Sequence, residues 1–141
     1  MADCNPACTP IATGVKVNQD KAGKHVDETY YKKMVGSLMY ITSTRPDIMF
    51  ATCLLSRYAS CPTELHLQVA KRILRYIGRT TQLGIYYQKG KEDGGLLVYT
   101  DSDYAGDSDD RRSTSGYAFI LSHGAIAWAS KKETYSHTIN H

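Results

Sequence analysis

The chain has 141 residues, 42% of them apolar, and a net charge of +3. That length and apolar content suit one ordinary domain or two small pieces and exclude wholesale disorder. No apolar run approaches the roughly 18 residues that would span a bilayer, and the N-terminus "MADCNPACTPIATG" has neither a basic nor an apolar signal region.

Residues 1–26 hold Pro6, Pro10, Gly14 and Gly23 without a hydrophobic period, so they read as an extended lead-in with a short strand near Val15–Val17. Cys4 and Cys8 lie there without a His at zinc-finger spacing. Cys53, within an apolar helical pattern, reads as a small buried hydrophobe. Cysteine usage fits a reducing compartment.

Asp27 is placed to cap a helix, and Glu28 suits its positive N-terminal end. Tyr31, Met34, Val35, Leu38, Met39 and Thr42 form its apolar face at three-and-four spacing. "TRPD" interrupts the period, and Pro46 opens a second helix over about 46–59, with Ile48, Phe50, Ala51, Leu54, Leu55 and Tyr58 on its apolar face. Thr63 or Glu64 opens a third, striped by Leu65, Val69, Ile73, Leu74 and Ile77 and stopped at Gly78. Its opposite face carries Lys71, Arg72, Arg75 and Arg79 with no acid among them. Such a face is either solvated polar surface or a phosphate-contacting patch. Tyr76, Tyr86 and Tyr87 suit core or base stacking equally, Trp128 suits core, and His66 and His123 read as structural.

After Gly78 the period changes to that of strands. "LGIYYQ" (83–88), "LLVYTDSD" (96–103), "SGYAFILS" (115–122) and "AIAWAS" (125–130) read as four strands. "KGKEDGG" (89–95) is a turn, and His123 with Gly124 supplies another. The spacing predicts an antiparallel meander over 96–130.

Five aspartates fall within residues 101–110. "DSDYAGDSDDRR" matches a calcium loop at Asp101, Asp103, Asp107 and Asp109, but Ala105 and Arg112 stand where ligands belong. Asp107, Asp109 and Asp110, beside Arg111 and Arg112, read as a solvated turn. Asp101 follows the apolar run "LLVY", which reads as a central strand, and a carboxylate there calls for a partner or a metal. Asp103 shares its face. Asp101 is thus the first candidate ligand and Asp103 the second.

Taken in order, these segments resemble the Pol polyprotein of copia-type retrotransposons. "YYKKMVGSLMYITSTRPDIMFATCLLSRYAS" and "HLQVAKRILRYIGRTTQLGIYY" are similar to segments after its polymerase palm. "YTDSDYAGDSDDRRSTSGYAFIL" and "AIAWASKKE" are similar to the start of its ribonuclease H domain. The resemblance implies an α+β chain: a lead-in (1–26), a helical thumb or connection region (27–80) and an incomplete ribonuclease H-like β-meander (81–141). It implies RNA-directed DNA synthesis and RNA cleavage in hybrids for the parent, with Asp101 the matching catalytic Mg²⁺ ligand and Asp103 a weaker one. The family draws its second carboxylate from a motif of the form SSTEAEY; here "ETYSHTINH" follows "SKK", and His141 falls one position short of that Glu. The chain is therefore expected to be inactive alone, to hold Mg²⁺ at most weakly, and to meet RNA–DNA hybrid through Lys71, Arg72, Arg75 and Arg79. The alternative is a retained nucleic-acid-binding or accessory module. No membrane partner is expected, and an uncovered sheet face leaves room for self-association. The resemblance implies cytoplasm or nucleus, with an organelle open.

Overall fold

The first helix, α1 (Glu28–Ile41), begins where the sequence predicts. Asp27 accepts a hydrogen bond from the Tyr30 amide at 2.5 Å, satisfying one of the amides that a helix start leaves without a partner. A 3₁₀ turn (Pro46–Ile48) leads into α2 (Met49–Ser56), and α3 runs from Glu64 to Arg79. The computed structural model describes residues 5–89, 95–103 and 106–134. The chain divides into two compact units, Met1–Gly84 and Ile85–His141.

In the first unit the three helices bury one stripe each. Tyr31, Val35 and Leu38 of α1, Ile48, Ala51 and Leu55, and Val69, Ala70, Ile73 and Tyr76 of α3 form the core. A fully buried aliphatic side chain stabilises by about 1.5–3 kcal/mol. That burial decides the fold, since helices of 14, 8 and 16 residues are marginal or worse alone. Phe50 and Met39, expected on apolar faces, are exposed.

Three local expectations are corrected here. Residues 15–17 form no strand. The Val17 carbonyl instead accepts from the Tyr58 hydroxyl (3.2 Å), and the next carbonyl, Asn18, from His66 Nε2 (2.7 Å). The second helix is not continuous over 46–59, because the extended Arg45 before Pro46 gives way first to a 3₁₀ turn. The third helix passes Gly78 and ends at Thr80, whose carbonyl is taken by Arg45 rather than by a left-handed glycine cap.

The second unit is a three-stranded antiparallel meander in the order β1 (Leu96–Asp103), β2 (Thr114–Leu121), β3 (Gly124–Lys132). Leu96 faces Leu121 and Asp103 faces Thr114 across the first pair. A register shift between Phe119 and Ile120 interrupts the second. The β2–β3 turn is centred on Ser122 and His123, both at positive φ as a two-residue hairpin requires. Gly124 opens β3 and is not itself a turn residue. A Cβ there would fall 2.6 Å from the Tyr87 ring, so the close approach of that ring needs glycine.

Residues 83–88 are not a fourth strand. Strand propensity expresses fit to a paired, packed surface, and this segment is tied down otherwise: the Tyr87 hydroxyl donates to the Ala125 carbonyl at 2.6 Å. The turn expected at 89–95 lies almost wholly outside the described residues, as does the tail from Tyr135.

Candidate functional site

α3 separates two faces. His66, Val69, Ala70, Ile73 and Tyr76 are buried, while Lys71 and Arg79 lie exposed on the far side with Arg72 and Arg75 half-buried between. Among the described residues, no carboxylate forms an ion pair with any of these four cations. Two of them also hold the lead-in. Arg72 donates to the Thr9 carbonyl and hydroxyl, both at 3.1 Å, and Arg79 to Cys8 Sγ at 3.4 Å. Arg75 buries its Nε with no partner among the described residues. The basic face is therefore part surface and part clamp, a role invisible without the fold because Thr9 and Arg72 lie 63 residues apart.

The aspartate-rich segment divides differently from expectation. β1 is an edge strand, not a central one, and every residue of it is exposed. Burial cost therefore does not single out Asp101. The Asp103 carboxylate lies over Gly106, where a Cβ would come within 1.7 Å of it. The solvated turn holds for Asp109 and Asp110, both exposed, and is corrected at Asp107, whose side chain is only 3% exposed. It accepts from the Asp109 and Asp110 amides (2.8 and 3.3 Å) and pairs with Lys132 Nζ at 2.5 Å. Lys132 also meets Asp110 at 2.9 Å, and Asp110 meets Arg112 at 3.4 Å. The acids thus fasten the β1–β2 connection to β3. Sequence spacing could not reveal the partner, because Lys132 comes from the far strand of the meander.

Burial pushes the Asp107 carboxyl up, but the Lys132 hydrogen bond and the two turn amides together hold it below the usual carboxylate range. A depressed folded pKa contributes stability that is present above the ordinary carboxylate range and lost as pH falls through the folded value. Asp107→Ala should therefore destabilise the meander by about 1–3 kcal/mol near neutral pH, since Lys132 keeps only Asp110 and two turn amides lose their acceptor. Thermal unfolding followed by Trp128 fluorescence reads this unit. A native-like midpoint in the variant would show that the turn is not held this way.

Mg²⁺ needs several oxygen ligands in octahedral array. Asp101 and Asp103 stand on one exposed strand end, and among the described residues no three His, Cys, Asp or Glu side chains gather to hold a metal.

The sequence motif read only as an interruption proves to be an anchor. In "TRPD", Arg45 donates to both Asp47 oxygens (2.9 and 2.8 Å) and, 35 residues on, to the Thr80 carbonyl and hydroxyl (3.0 and 2.7 Å). Tyr76 donates to the same carboxylate at 2.7 Å. An Arg and an Asp bracketing a helix-opening proline was the available signal, because their spacing lets a guanidinium fork meet a carboxylate.

The architecture defines an α+β chain with a helical unit followed by an open antiparallel meander. The chain belongs to the copia-type retrotransposon Pol polyprotein family. It is 45% identical over 133 residues to the retrovirus-related Pol polyprotein from transposon RE1 of Arabidopsis thaliana, covering 94% of this chain and 9% of that one. It is 40% identical over 138 residues to the corresponding polyprotein from transposon TNT 1-94 of Nicotiana tabacum, covering 93% and 10%. A shorter relative is the secreted RxLR effector protein 161 of Plasmopara viticola, 43% identical over 104 residues, 73% of this chain and 72% of that one. The chain thus spans about a tenth of the length of the Pol polyproteins it matches. No family model and no solved structure matches it. Among the described residues, no helix is long and apolar enough to cross a membrane.

Proposed function

We propose that this chain is a piece of a reverse transcriptase and ribonuclease H polyprotein that holds an RNA–DNA hybrid by its phosphates and does not cleave it alone. The observation that carries the binding is the α3 face, where Lys71, Arg72, Arg75 and Arg79 meet no carboxylate among the described residues. Cations left without acids can replace counterions along a nucleic-acid backbone. The inactivity rests on Asp101 and Asp103. Both stand on one exposed strand end, whereas in-line hydrolysis needs carboxylates converging from separate elements to set the attacking water. Mg²⁺ would serve the parent enzyme, and this chain would hold it weakly.

Both parts are tested on one labelled hybrid. Anisotropy across a salt series should show binding that weakens with salt, at about 0.9 log–log units per duplex phosphate contact. Lys71→Ala should lower the slope by about one contact, and Arg72→Ala with Arg75→Ala by about two. Lys71 is the cleaner probe because it is exposed and clamps no other described residue. A slope unchanged in all variants would reduce this face to solvated surface. On a gel, the hybrid should stay intact in Mg²⁺ or Mn²⁺, with Asp101→Asn indistinguishable from the native chain. Metal-dependent cleavage that Asp101→Asn abolishes would overturn the proposed inactivity.

A further inference from the structure

A groove of about 470 Å³ in the helical unit is lined by Gln19, Lys21, His25, Arg57, Tyr58, Ser60 and Cys61. None of Lys71, Arg72, Arg75 and Arg79 lines it, and the proposed nucleic-acid contact does not use it. Cys61 and His25, both exposed, come together there across 36 residues of sequence, with Sγ 3.6 Å from Nδ1. Backbone pairing fixes this approach. His25 bridges to Thr63 in a short antiparallel contact, the Val26 amide donates to the Pro62 carbonyl (3.1 Å), and the Glu64 amide donates to the Lys24 carbonyl (2.9 Å). A thiol and a base are thus held in contact by a paired backbone and open to solvent.

The lining has a sign as well as a shape. Lys21 places a cation beside His25, and among the described residues no carboxylate lines the groove. A cationic lining favours an anionic reaction partner and disfavours a metal cation between Cys61 and His25. The other described thiols lack this setting. Cys53 is half-buried against Met49, and burial holds its thiol above the ordinary range. Cys8 is exposed and accepts from Arg79.

We propose that Cys61 is a modification site that forms a mixed disulfide with a small carboxylate-bearing disulfide, of which glutathione disulfide is the probe. His25 Nδ1 takes the proton from Cys61 Sγ. The thiolate attacks one sulfur of the disulfide, forming one S–S bond and breaking the other. The leaving thiolate takes the proton back from the imidazolium. Cys61 is oxidised to the mixed disulfide and one half of the reagent is reduced to its thiol. Lys21 draws the reagent's carboxylates into the groove.

The experiment treats the full chain with glutathione disulfide, or with the cationic disulfide cystamine, and locates adducts by peptide mass mapping over time. Cys61 should react about tenfold faster than Cys8 or Cys53. His25→Ala should slow Cys61 by about tenfold, and Lys21→Ala should erase the preference for the anionic reagent over cystamine. Both positions are on the surface, so both variants should fold. For the unaltered chain, added salt should slow the glutathione reaction and leave the cystamine reaction no slower. Equal rates at Cys61 and Cys8, an unchanged rate in His25→Ala, or no difference between the two reagents would each overturn the proposal.

Discussion

Arg45→Ala is expected to destabilise the helical unit by about 3–4 kcal/mol, and Asp47→Asn by about 2. The Arg45 side chain is only 9% exposed, and its guanidinium makes four hydrogen bonds, two to Asp47 and two to Thr80. It also lies 5.7 Å from the centre of the Tyr76 ring. Removing one partner of a buried pair costs more than the pair contributes, because the other charge stays behind without its water. Here the loss is moderated on one side, since the Asp47 side chain is 34% exposed and water reaches it. Arg45→Ala also frees the end of α3 and opens a cavity over Tyr76. Arg45→Lys should recover little, because an ammonium cannot present the fork that grips Asp47 while reaching Thr80. The pair adds a pH signature. The Arg45 hydrogen bond, opposed by burial and aided by Tyr76, holds the Asp47 carboxyl below its ordinary range. The hydrogen bond to Asp47, with burial behind it, pushes the Tyr76 phenol up. Asp47 is the group with the lowered folded pKa, so its contribution is complete above the ordinary carboxylate range and fades as pH falls through that folded value. All described helices precede Gly84, so far-UV circular dichroism in a urea series reads this unit apart from the meander. A variant within about 0.5 kcal/mol of the native chain, the usual range of a surface change, would show that the anchor is ornamental.

How much of this was legible in the sequence depends on the range of the interaction. Asp27 as a cap, the stripe from Tyr31 to Leu38 and the start of α3 follow from neighbours within a turn or two, and the sequence states them directly. The meander was legible for the same reason: alternation and short connections specify hairpins. What failed needed distant partners. "LGIYYQ" has strand composition, yet among the described residues it joins no sheet. "LLVY" has the composition of a central strand, yet its place in the sheet order makes it an edge. Asp107 looked like the other acids until Lys132 arrived from β3. Arg72 looked like free surface charge until Thr9 was folded against it. The candidate site was thus readable as residue types, Asp101 and Asp103 among the acids and four cations on one helix face. Which of them are spent on holding the fold was not.

His66, which reads from the sequence as structural, gives the sharpest test of that distinction. Its side chain is fully buried, and both ring nitrogens are used. The Thr63 amide donates to Nδ1 at 3.0 Å, and Nε2 donates to the Asn18 carbonyl at 2.7 Å. That assigns the neutral tautomer with its hydrogen on Nε2. The ring stacks on Tyr58 with centroids 4.3 Å apart and planes 11° from parallel, and meets the Tyr31 edge at 6.5 Å. Tyr31 in turn donates to the Leu55 carbonyl at 2.9 Å, and burial pushes its phenol well up, so it stays protonated. Thr63 donates to Asp20 Oδ2 at 2.7 Å, which ties the lead-in to the same point. One ring therefore caps α3, holds the Asn18 carbonyl and fills the space between two tyrosines. His66→Ala should cost about 3–5 kcal/mol: an amide and a carbonyl each lose a buried partner at about 1–3 kcal/mol, and a cavity opens beside the tyrosines. His66→Gln should recover much of the loss, because glutamine at this third helical position is the ordinary capping-box partner and can accept from the Thr63 amide. It cannot replace the stack, worth about 0.5–1.5 kcal/mol between aromatic rings, so it should fall short of the native chain by at least that. The same urea series read by circular dichroism ranks native above Gln above Ala. A His66→Gln no better than His66→Ala would mean that the cap contributes little and that the ring acts through packing alone.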